Sequence, residues 1–352
     1  MSGFDAFLAA SPNDRRDAFL AVSRRLGAPE QNIEKDFWVC WALDALFNRL
    51  PPGSPRLLFK GGTSLSKAFG LIFRFSEDID ITVFRDDLGE AAGVDVLEAL
   101  SNKKRRAKLN AIRKACQSYI AGPLQMQLTG IFNESLTRAH IPVEGPHIEL
   151  DQNDPDRQSL LIWYPSVIAP VGGYVRPAVK IESGAKSALD PHHIVSVRPY
   201  VGEETPGLDL TVGNITAVDA ERSFWDKIVI LHGLRRWFDR RQVLRGGGQR
   251  VSRHYYDVHR IFHSDVGAAA LADTALGLDC VRHAKMFFNS NDLDLAAATP
   301  GTFSLVPSEP MVVMLRRDYA AMSGMIFGPI PPFDEVMASI AELEKRINER
   351  QA

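Results

Sequence analysis

The sequence predicts an α+β protein in which a mixed β-sheet core flanked by helices is followed by a C-terminal helical bundle. Residues 56–60 and 78–84 are short apolar or alternating segments, typical of strands, with a helical pattern between them. Further strand candidates, punctuated by Pro, Gly and Asp, lie at residues 147–150, 160–164 and 175–182. From residue 217 onward, apolar residues recur at helical spacing, so the second part is predicted to be all helix.

Two domains are expected from the length and from this change of pattern. The chain has 352 residues, of which 45% are hydrophobic, enough for one large domain or two ordinary ones. The boundary is predicted near residues 205–216. We therefore expect an α/β domain over residues 1–210 and a helical domain over residues 211–352 that completes a cleft.

Charge and cysteine content limit the class of protein. The formal net charge is −2, so any contact with nucleic acid must come from local basic patches. The three cysteines show no CxxC pairing, which favours a reducing, cytoplasmic setting. The first residues do not resemble a signal peptide, and no apolar run approaches the roughly 18 residues that span a membrane.

The helical elements follow from apolar periodicity and its punctuation. Residues 29–49 carry tryptophans and alanines on one helical face, and the Pro-rich cluster at residues 51–55 ends that helix. The other predicted helices lie at residues 14–27, 63–71, 95–120, 217–234, 253–263, 266–289 and 333–349.

A double glycine between the first strand and the next helix is the first candidate for chemistry. Residues 60–67 read KGGTSLSK. Glycines there let a phosphate approach the backbone N–H groups at the helix start, although Thr63 or Ser64 could also be a plain helix cap. The Walker A pattern does not apply, because Lys67 follows Ser66 and precedes Ala68.

Two aspartates on the following strand are the second candidate. Asp78 and Asp80 are two residues apart, so they project from the same face while Ile79 and Ile81 point into the core. A divalent cation would relieve their repulsion, and Mg²⁺ is commonly bound by one or two carboxylates plus phosphate oxygens. The alternative is an exposed acidic strand end.

In this order, the motifs resemble the AbiEii/AbiGii-type nucleotidyltransferase family, the toxin components of bacterial toxin–antitoxin and phage-defence systems. The resemblance rests on residues 33–38 (IEKDFW), 60–67 (KGGTSLSK), 74–80 (RFSEDID), 179–182 (VKIE), 221–227 (ERSFWDK) with His232, and 253–257 (RHYYD). It covers about residues 33–262 and implies a nucleotidyltransferase-like fold. The residues beyond match no motif.

The resemblance implies roles for individual residues. Asp78 and Asp80 would hold Mg²⁺ or Mn²⁺. The nucleotide would contact the loop and helix residues Lys60, Gly61, Gly62, Thr63, Lys67 and Ser76. Lys180 and Glu182 would lie on a neighbouring strand, and their spacing also places them on one face. Glu182 is the candidate third carboxylate or general base, and Lys180 would offset phosphate charge; the alternative is a cross-strand salt bridge.

A charge pair in an apolar helix adds two candidates. Asp226 and Lys227 lie among Phe224, Trp225 and Ile228. The resemblance implies that Asp226 and Lys227 face the cleft as catalytic and nucleotide-binding residues; the alternative is a helix edge with a snorkelling lysine. We expect Asp257 to position Arg253 or Lys227.

Two basic segments are RNA-binding candidates. They contain Lys103, Lys104, Arg105 and Arg106 in one stretch, and Arg235, Arg236, Arg240 and Arg241 in the other. Arginine beside aromatic residues suits phosphate contact and base stacking, although a charge run is more often a solvated face.

Taken together, the motifs favour a Mg²⁺-dependent nucleotidyltransferase. The resemblance implies transfer from an NTP to an acceptor hydroxyl, the 3′ end of a tRNA, by a toxin with a cognate antitoxin. The alternatives are transfer to a protein or small molecule, and a non-catalytic nucleotide-binding module.

Overall fold

The computed structural model describes residues 2–169, 176–248 and 250–349. They form two compact units. The sheet unit contains the described residues up to Ala68 together with Phe75–Ala92 and Asn102–Val218, and the helical unit contains Phe69–Arg74, Gly93–Ser101 and the described residues from Asp219 onward. None of the helices in this described part of the chain has the length and hydropathy needed to cross a lipid bilayer.

The sheet unit is built on one mixed seven-stranded sheet. Its strands are β1 (Leu57–Lys60), β2 (Asp78–Val83), β3 (His147–Leu150), β4 (Ser159–Trp163), β5 (Ala178–Gly184), β6 (His192–Val197) and β7 (Val212–Val218). Their order across the sheet is β3-β4-β5-β2-β1-β7-β6. Strand β2 pairs antiparallel with β1 and parallel with β5, so the two acidic segments predicted to be neighbours lie side by side at the centre.

Helices cover this sheet. They are α1 (Gly3–Ala9), α2 (Pro12–Leu26), α3 (Glu30–Asn48), α4 (Gly61–Lys67), α6 (Asn102–Tyr119) and α7 (Gln125–Arg138). The longest, α3, is buried along most of its length, with Trp38 and Trp41 packed against Phe132 of α7. Side-chain alternation in β2 is as predicted: Ile79 and Ile81 are buried, whereas Asp78 and Asp80 are partly exposed.

The helical unit takes its residues from three parts of the chain. Its helices are α5 (Val94–Glu98), α8 (Ala220–Arg241), α9 (Ser252–Phe262), α10 (Asp265–Ala272), α11 (Thr274–Phe287), α12 (Glu309–Met322) and α13 (Phe333–Glu349). The segment Phe69–Arg74 belongs to this unit as well. The Phe73 backbone oxygen accepts a hydrogen bond from the Phe327 N–H, and Arg74 forms a β-bridge with Ile326. This unit confirms the predicted C-terminal helical bundle.

Several predicted element bounds are wrong. The helix predicted from residue 217 begins at Ala220, because Val212–Val218 is a strand of the sheet. The helix predicted at residues 266–289 is two helices, since the Asp273 side chain caps a new one. The helix predicted at 63–71 runs from Gly61 to Lys67, and the one at 95–120 divides into α5 and α6.

Some elements were not predicted at all. Helix α7 continues from α6 through a π-helical turn, Ile120–Leu124, which accommodates Pro123 where an ordinary helix would break. Strand β6 is largely exposed at the sheet edge, so it lacks the apolar pattern of a buried strand. The strand predicted at residues 175–182 is observed as β5, and its first predicted residue, Val175, lies outside the described residues.

Candidate active site

The turn from β1 into α4 brings the double glycine against the first acidic strand. Lys60 ends β1, and Gly61 begins α4 directly. The Thr63 side chain is fully buried; its Oγ1 lies 2.8 Å from Ser76 Oγ and also contacts the backbone oxygen of Asp78. Thr63 and Ser76 therefore tie α4 to the start of β2, and a contact of either with nucleotide stays a prediction.

Gly61 is required by two features of this turn. Its φ of +80° lies in the left-handed region that favours glycine. A Cβ atom added there would lie 2.1 Å from Asp80 Oδ2, far inside van der Waals contact. The Asp80 carboxylate thus lies directly against the backbone of the glycine turn.

Replacing Gly61 by Ala is expected to lower nucleotide transfer by about 100-fold, because the new methyl group displaces the Asp80 carboxylate. The matched control is Gly89→Ala, since Gly89 also has a positive φ, +73°, but no atom within 4 Å of its added Cβ. Initial rates of label transfer measure both variants. Equal activity of Gly61→Ala and Gly89→Ala would contradict this role for the glycine.

Strand register brings four charged side chains onto one face of the sheet. Asp78 is the direct partner of Lys180, and Asp80 is the direct partner of Glu182, in the parallel β2–β5 pair. This confirms the prediction that Lys180 and Glu182 lie on a neighbouring strand. Three carboxylates and one lysine consequently share a patch at the centre of the sheet.

The electrostatics of this patch suit a cation. The pKa of Asp78 is raised to about 6 by burial, and also by the nearby carboxylates of Glu77, Glu182 and Asp80. Burial and like charge both favour the neutral form of Asp78, and a divalent cation bound there would favour the charged form. Among the described residues, no group of three or more His, Cys, Asp or Glu side chains has a metal-binding arrangement, and metal binding by Asp78 and Asp80 stays a prediction.

Two lysines lie at this patch. Lys60 Nζ is 3.6 Å from Asp80 Oδ1, and both side chains are about a quarter exposed, so Lys60 can also reach a ligand. Lys180 Nζ lies 2.8 Å from Glu182 Oε1 and 3.3 Å from Asp151 Oδ2. Lys180 therefore forms salt bridges, the alternative to a contact with phosphate. One is with Glu182 of its own strand, and the other is with Asp151, a partner that the sequence did not predict.

Two buried ion pairs made by neighbouring residues of α3 were also missed. On α3, Lys35 Nζ lies 2.7 Å from Glu77 Oε2, next to Asp78. The neighbouring Asp36 lies 2.6 Å from Lys67 Nζ, and that ammonium also lies over the Tyr200 ring. The only sequence signal was the charged IEKDFW segment on an otherwise apolar helix. The Lys67 side chain, at the end of α4, is therefore buried against α3, which favours a structural role over its predicted contact with nucleotide.

Replacing Lys67 by Met is expected to destabilise α3 and α4 by about 3 kcal/mol, because it leaves Asp36 buried without its cation. Burial lowers the pKa of Lys67, but Asp36, Cys40 and Tyr200 together raise it above its ordinary value, consistent with a charged lysine. Hydrogen exchange of the amides in both helices measures the loss, with exposed Lys345→Met as the control. An unchanged exchange pattern with a raised KM for NTP would favour the nucleotide contact instead.

The helical unit holds a second buried charge cluster. Asp257 is fully buried; it accepts hydrogen bonds from Arg74 at 2.7 and 2.9 Å and from Lys227 at 2.8 Å. The expected pairing of Asp257 with Lys227 is confirmed, and Arg74 takes the place expected for Arg253. Asp226 lies beside Arg222 and Cys280. Catalytic or nucleotide contacts of Asp226 and Lys227 stay predictions.

The two basic segments differ in how far their side chains are engaged. On α6, Lys103 and Arg106 are exposed on the sheet unit. In the helical unit, the arginines of α8 contact neighbours: Arg235 pairs with Asp239, Arg236 with Asp294, Arg240 with the backbone oxygen of Asn291, and Arg241 with Asp292. The α6 segment thus presents at least two exposed basic side chains, and RNA binding by either segment stays a prediction.

Comparison with known proteins identifies the family to which this chain is similar. The family model described as "Nucleotidyl transferase AbiEii toxin, Type IV TA system" matches residues 44–339. Among solved structures, MenT4, a nucleotidyltransferase toxin from Mycobacterium tuberculosis, is similar with 15% identity and a TM-score of 0.44, over 95% of this chain and 99% of that one. A TM-score of this size carries no argument about function. No curated protein matches the sequence.

Proposed function

The chain belongs to the AbiEii nucleotidyltransferase toxin family, and from this membership we propose that it transfers a nucleoside monophosphate from an NTP to the 3′ end of a tRNA. As a member of this family, the protein is a nucleotidyltransferase toxin of a toxin–antitoxin system, and the family implies an NTP substrate and a cognate antitoxin. The observation that carries the proposal is the central patch, where Asp78 and Asp80 lie beside Lys180 and Glu182 on adjacent strands.

Each part of the patch has a role in this reaction. An acceptor hydroxyl oxygen attacks the α-phosphorus in line, and the bond from phosphorus to the β-phosphate oxygen breaks, so that pyrophosphate leaves. Lys60, 3.6 Å from Asp80, and Lys180 offset the charge of the triphosphate. Glu182 is the candidate carboxylate that receives the proton of the hydroxyl.

A divalent cation fits the carboxylates of this patch. Asp78 and Asp80 would hold Mg²⁺ or Mn²⁺: burial first, and then the nearby carboxylates, raise the pKa of Asp78, and a bound cation would favour its charged form. When bound, the cation would stabilise negative charge on the phosphate oxygens. Gly61 and Gly62 are the proposed backbone contacts of the triphosphate, and a Cβ at Gly61 would collide with the Asp80 carboxylate.

The acceptor is proposed to be RNA because of the charge of α6. Lys103 and Arg106 are exposed on a protein whose formal net charge is only −2. A local basic helix of this kind suits the phosphate backbone of RNA. The 3′ end offers a hydroxyl with no need to open a duplex, as the proposed chemistry requires.

The test incubates the protein with each α-³²P-labelled NTP, Mg²⁺, and either purified tRNA or tRNA oxidised with periodate. Oxidation destroys the 3′-terminal hydroxyls and leaves the rest of the molecule intact, so it is a matched control. We expect label in the intact tRNA and none in the oxidised tRNA. Equal labelling of both would contradict transfer to the 3′ end.

The same experiment, with a protein extract and a small-molecule fraction added, distinguishes the proposed function from two alternatives. Label in protein or in a small product, with none in RNA, would replace the proposed acceptor while keeping the enzyme class. Saturable binding of NTP with no turnover on any fraction would instead favour a non-catalytic nucleotide-binding module.

A further inference from the structure

A pocket of the sheet unit lies apart from all the residues discussed so far. Its volume is about 540 Å³, and it is bounded by the start of α2, the segment after α7 and residues 165–167. Its lining is mixed: Leu8, Pro12, Ala139, Ile141, Pro165 and Val167 are apolar, whereas Ser11, Arg15, Arg16, His140 and Ser166 are polar. None of Asp78, Asp80, Lys180 or Glu182 lines it.

A buried cation lines this pocket. Arg15, on α2, is only 6% exposed, and its Nε has no hydrogen-bond partner among the described residues. Burial lowers the pKa of Arg15, and the negative charge of Glu34 compensates only in part. A buried guanidinium normally has several hydrogen-bonded partners, because burying its charge is otherwise unfavourable.

The carboxylate whose charge acts on Arg15, that of Glu34, already has other hydrogen-bond partners. Glu34 Oε1 accepts a hydrogen bond from the Val167 backbone N–H at 2.7 Å, and its Oε2 accepts one from the Ser166 hydroxyl. Glu34 therefore holds the wall of the pocket in place. At the rim, exposed Arg16 donates to the Val167 backbone oxygen at 3.2 Å, which adds a second positive charge.

We propose that this pocket binds a small organic anion, with its carboxylate or phosphate group on Arg15 and its apolar body against the walls of the pocket. The volume lies within the range of about 300–1,000 Å³ that is usual for small-molecule sites. An anionic group would complete the hydrogen bonding of Arg15, and charge-assisted bonds to arginine are strong. The site is separate from the proposed nucleotidyl transfer, so either can fail without the other.

The test measures the binding of three probes to the full chain by isothermal titration calorimetry in a phosphate-free buffer. The probes are benzoate, phenyl phosphate and benzamide, which share a ring and differ in charge. We expect saturable binding of at least one anionic probe and no detectable binding of neutral benzamide. The tighter of the two anions identifies the preferred anionic group.

Variants then locate the site. Arg15→Gln should weaken the anion by at least about 10-fold, as expected for losing a charged hydrogen-bonding partner. The control Arg24→Gln, on the exposed face of the same helix, should bind as the wild type does. Ala10→Trp, which keeps Arg15 and fills the pocket, should also abolish binding, and this variant serves if Arg15→Gln does not fold.

Three results would overturn the proposal. They are the absence of saturable binding of both anions to the wild type, binding of benzamide as tight as that of benzoate, and full binding by Ala10→Trp.

Discussion

Replacing Asp80 by Asn is expected to lower nucleotide transfer by at least about 10³-fold while leaving the fold intact. Asp80 lies against the Gly61 turn, 3.6 Å from Lys60 Nζ, and is the cross-strand partner of Glu182. The substitution keeps the shape of the side chain and removes its charge. Losing that charge removes several kcal/mol of electrostatic stabilisation in the transition state, and each 1.36 kcal/mol is tenfold in rate.

The measurement is the initial rate of label transfer from α-³²P-NTP at saturating Mg²⁺, together with the melting temperature of each variant. Asp86→Asn is the matched control, because Asp86 is an exposed aspartate just beyond the same strand. Equal rates for Asp80→Asn and Asp86→Asn would refute the assignment of the active site. A proportionate loss of stability in Asp80→Asn would instead indicate a structural role.

Replacing Asp257 by Asn is expected to destabilise the helical unit by about 5 kcal/mol. The carboxylate of Asp257 is fully buried and accepts hydrogen bonds from Arg74 and Lys227. Without its charge, two buried cations face each other with no counterion, and breaking a buried ion pair in this way usually costs about 3–5 kcal/mol. Hydrogen exchange of the amides in α8 and α9 reports the change within this unit.

The effect of Asp257 should depend on pH in a defined direction. Burial raises the pKa of Asp257, but Arg74 and Lys227 lower it by more, so its folded-state pKa lies well below the usual value. A depressed pKa stabilises the fold above the unfolded value of about 3.9, and this contribution is lost as pH falls toward the folded value. The stability difference between the wild type and Asp257→Asn should therefore be full at pH 7 and shrink below about pH 4.

The control for this prediction is Asp265→Asn, at the exposed start of α10, which should change stability by less than about 0.5 kcal/mol. If Asp257→Asn unfolds the chain outright, Arg74→Met and Lys227→Met can be measured instead, since each removes only one of the two cations that pair with Asp257. A stability difference that stayed constant from pH 7 to pH 3 would contradict the ion-pair account.

The sequence predicted the central part of the fold well because its signals there are local. Alternation in residues 78–84 and the glycines before α4 depend on neighbouring residues, and both are observed. The sequence patterns failed to predict elements whose conformation depends on distant parts of the chain. Strand β7 carries few features of its own and is recognisable only by its pairing with β1 and β6.

The candidate site shows the same division. Spacing alone placed Asp78 with Asp80, and Lys180 with Glu182, on strand faces, whereas their register across β2 and β5 came from the sheet. The partner of Lys67 could not be read from its own segment. Asp36 is 31 positions away, on a helix whose apolar pattern concealed it.

By itself, the sequence determined the class of fold, the family and the pair of acidic strands, because these depend on residue type and spacing within short segments. Only the tertiary structure decided which charges are buried and with which partners. Phe69–Arg74 belongs to the helical unit, so that Arg74 meets Asp257 across 183 positions. The Arg15 Nε, beside a pocket, is left without a hydrogen-bond partner among the described residues. The physical reason is burial. A charge removed from water destabilises the fold unless a partner compensates it, and the sequence shows neither the burial nor the partner.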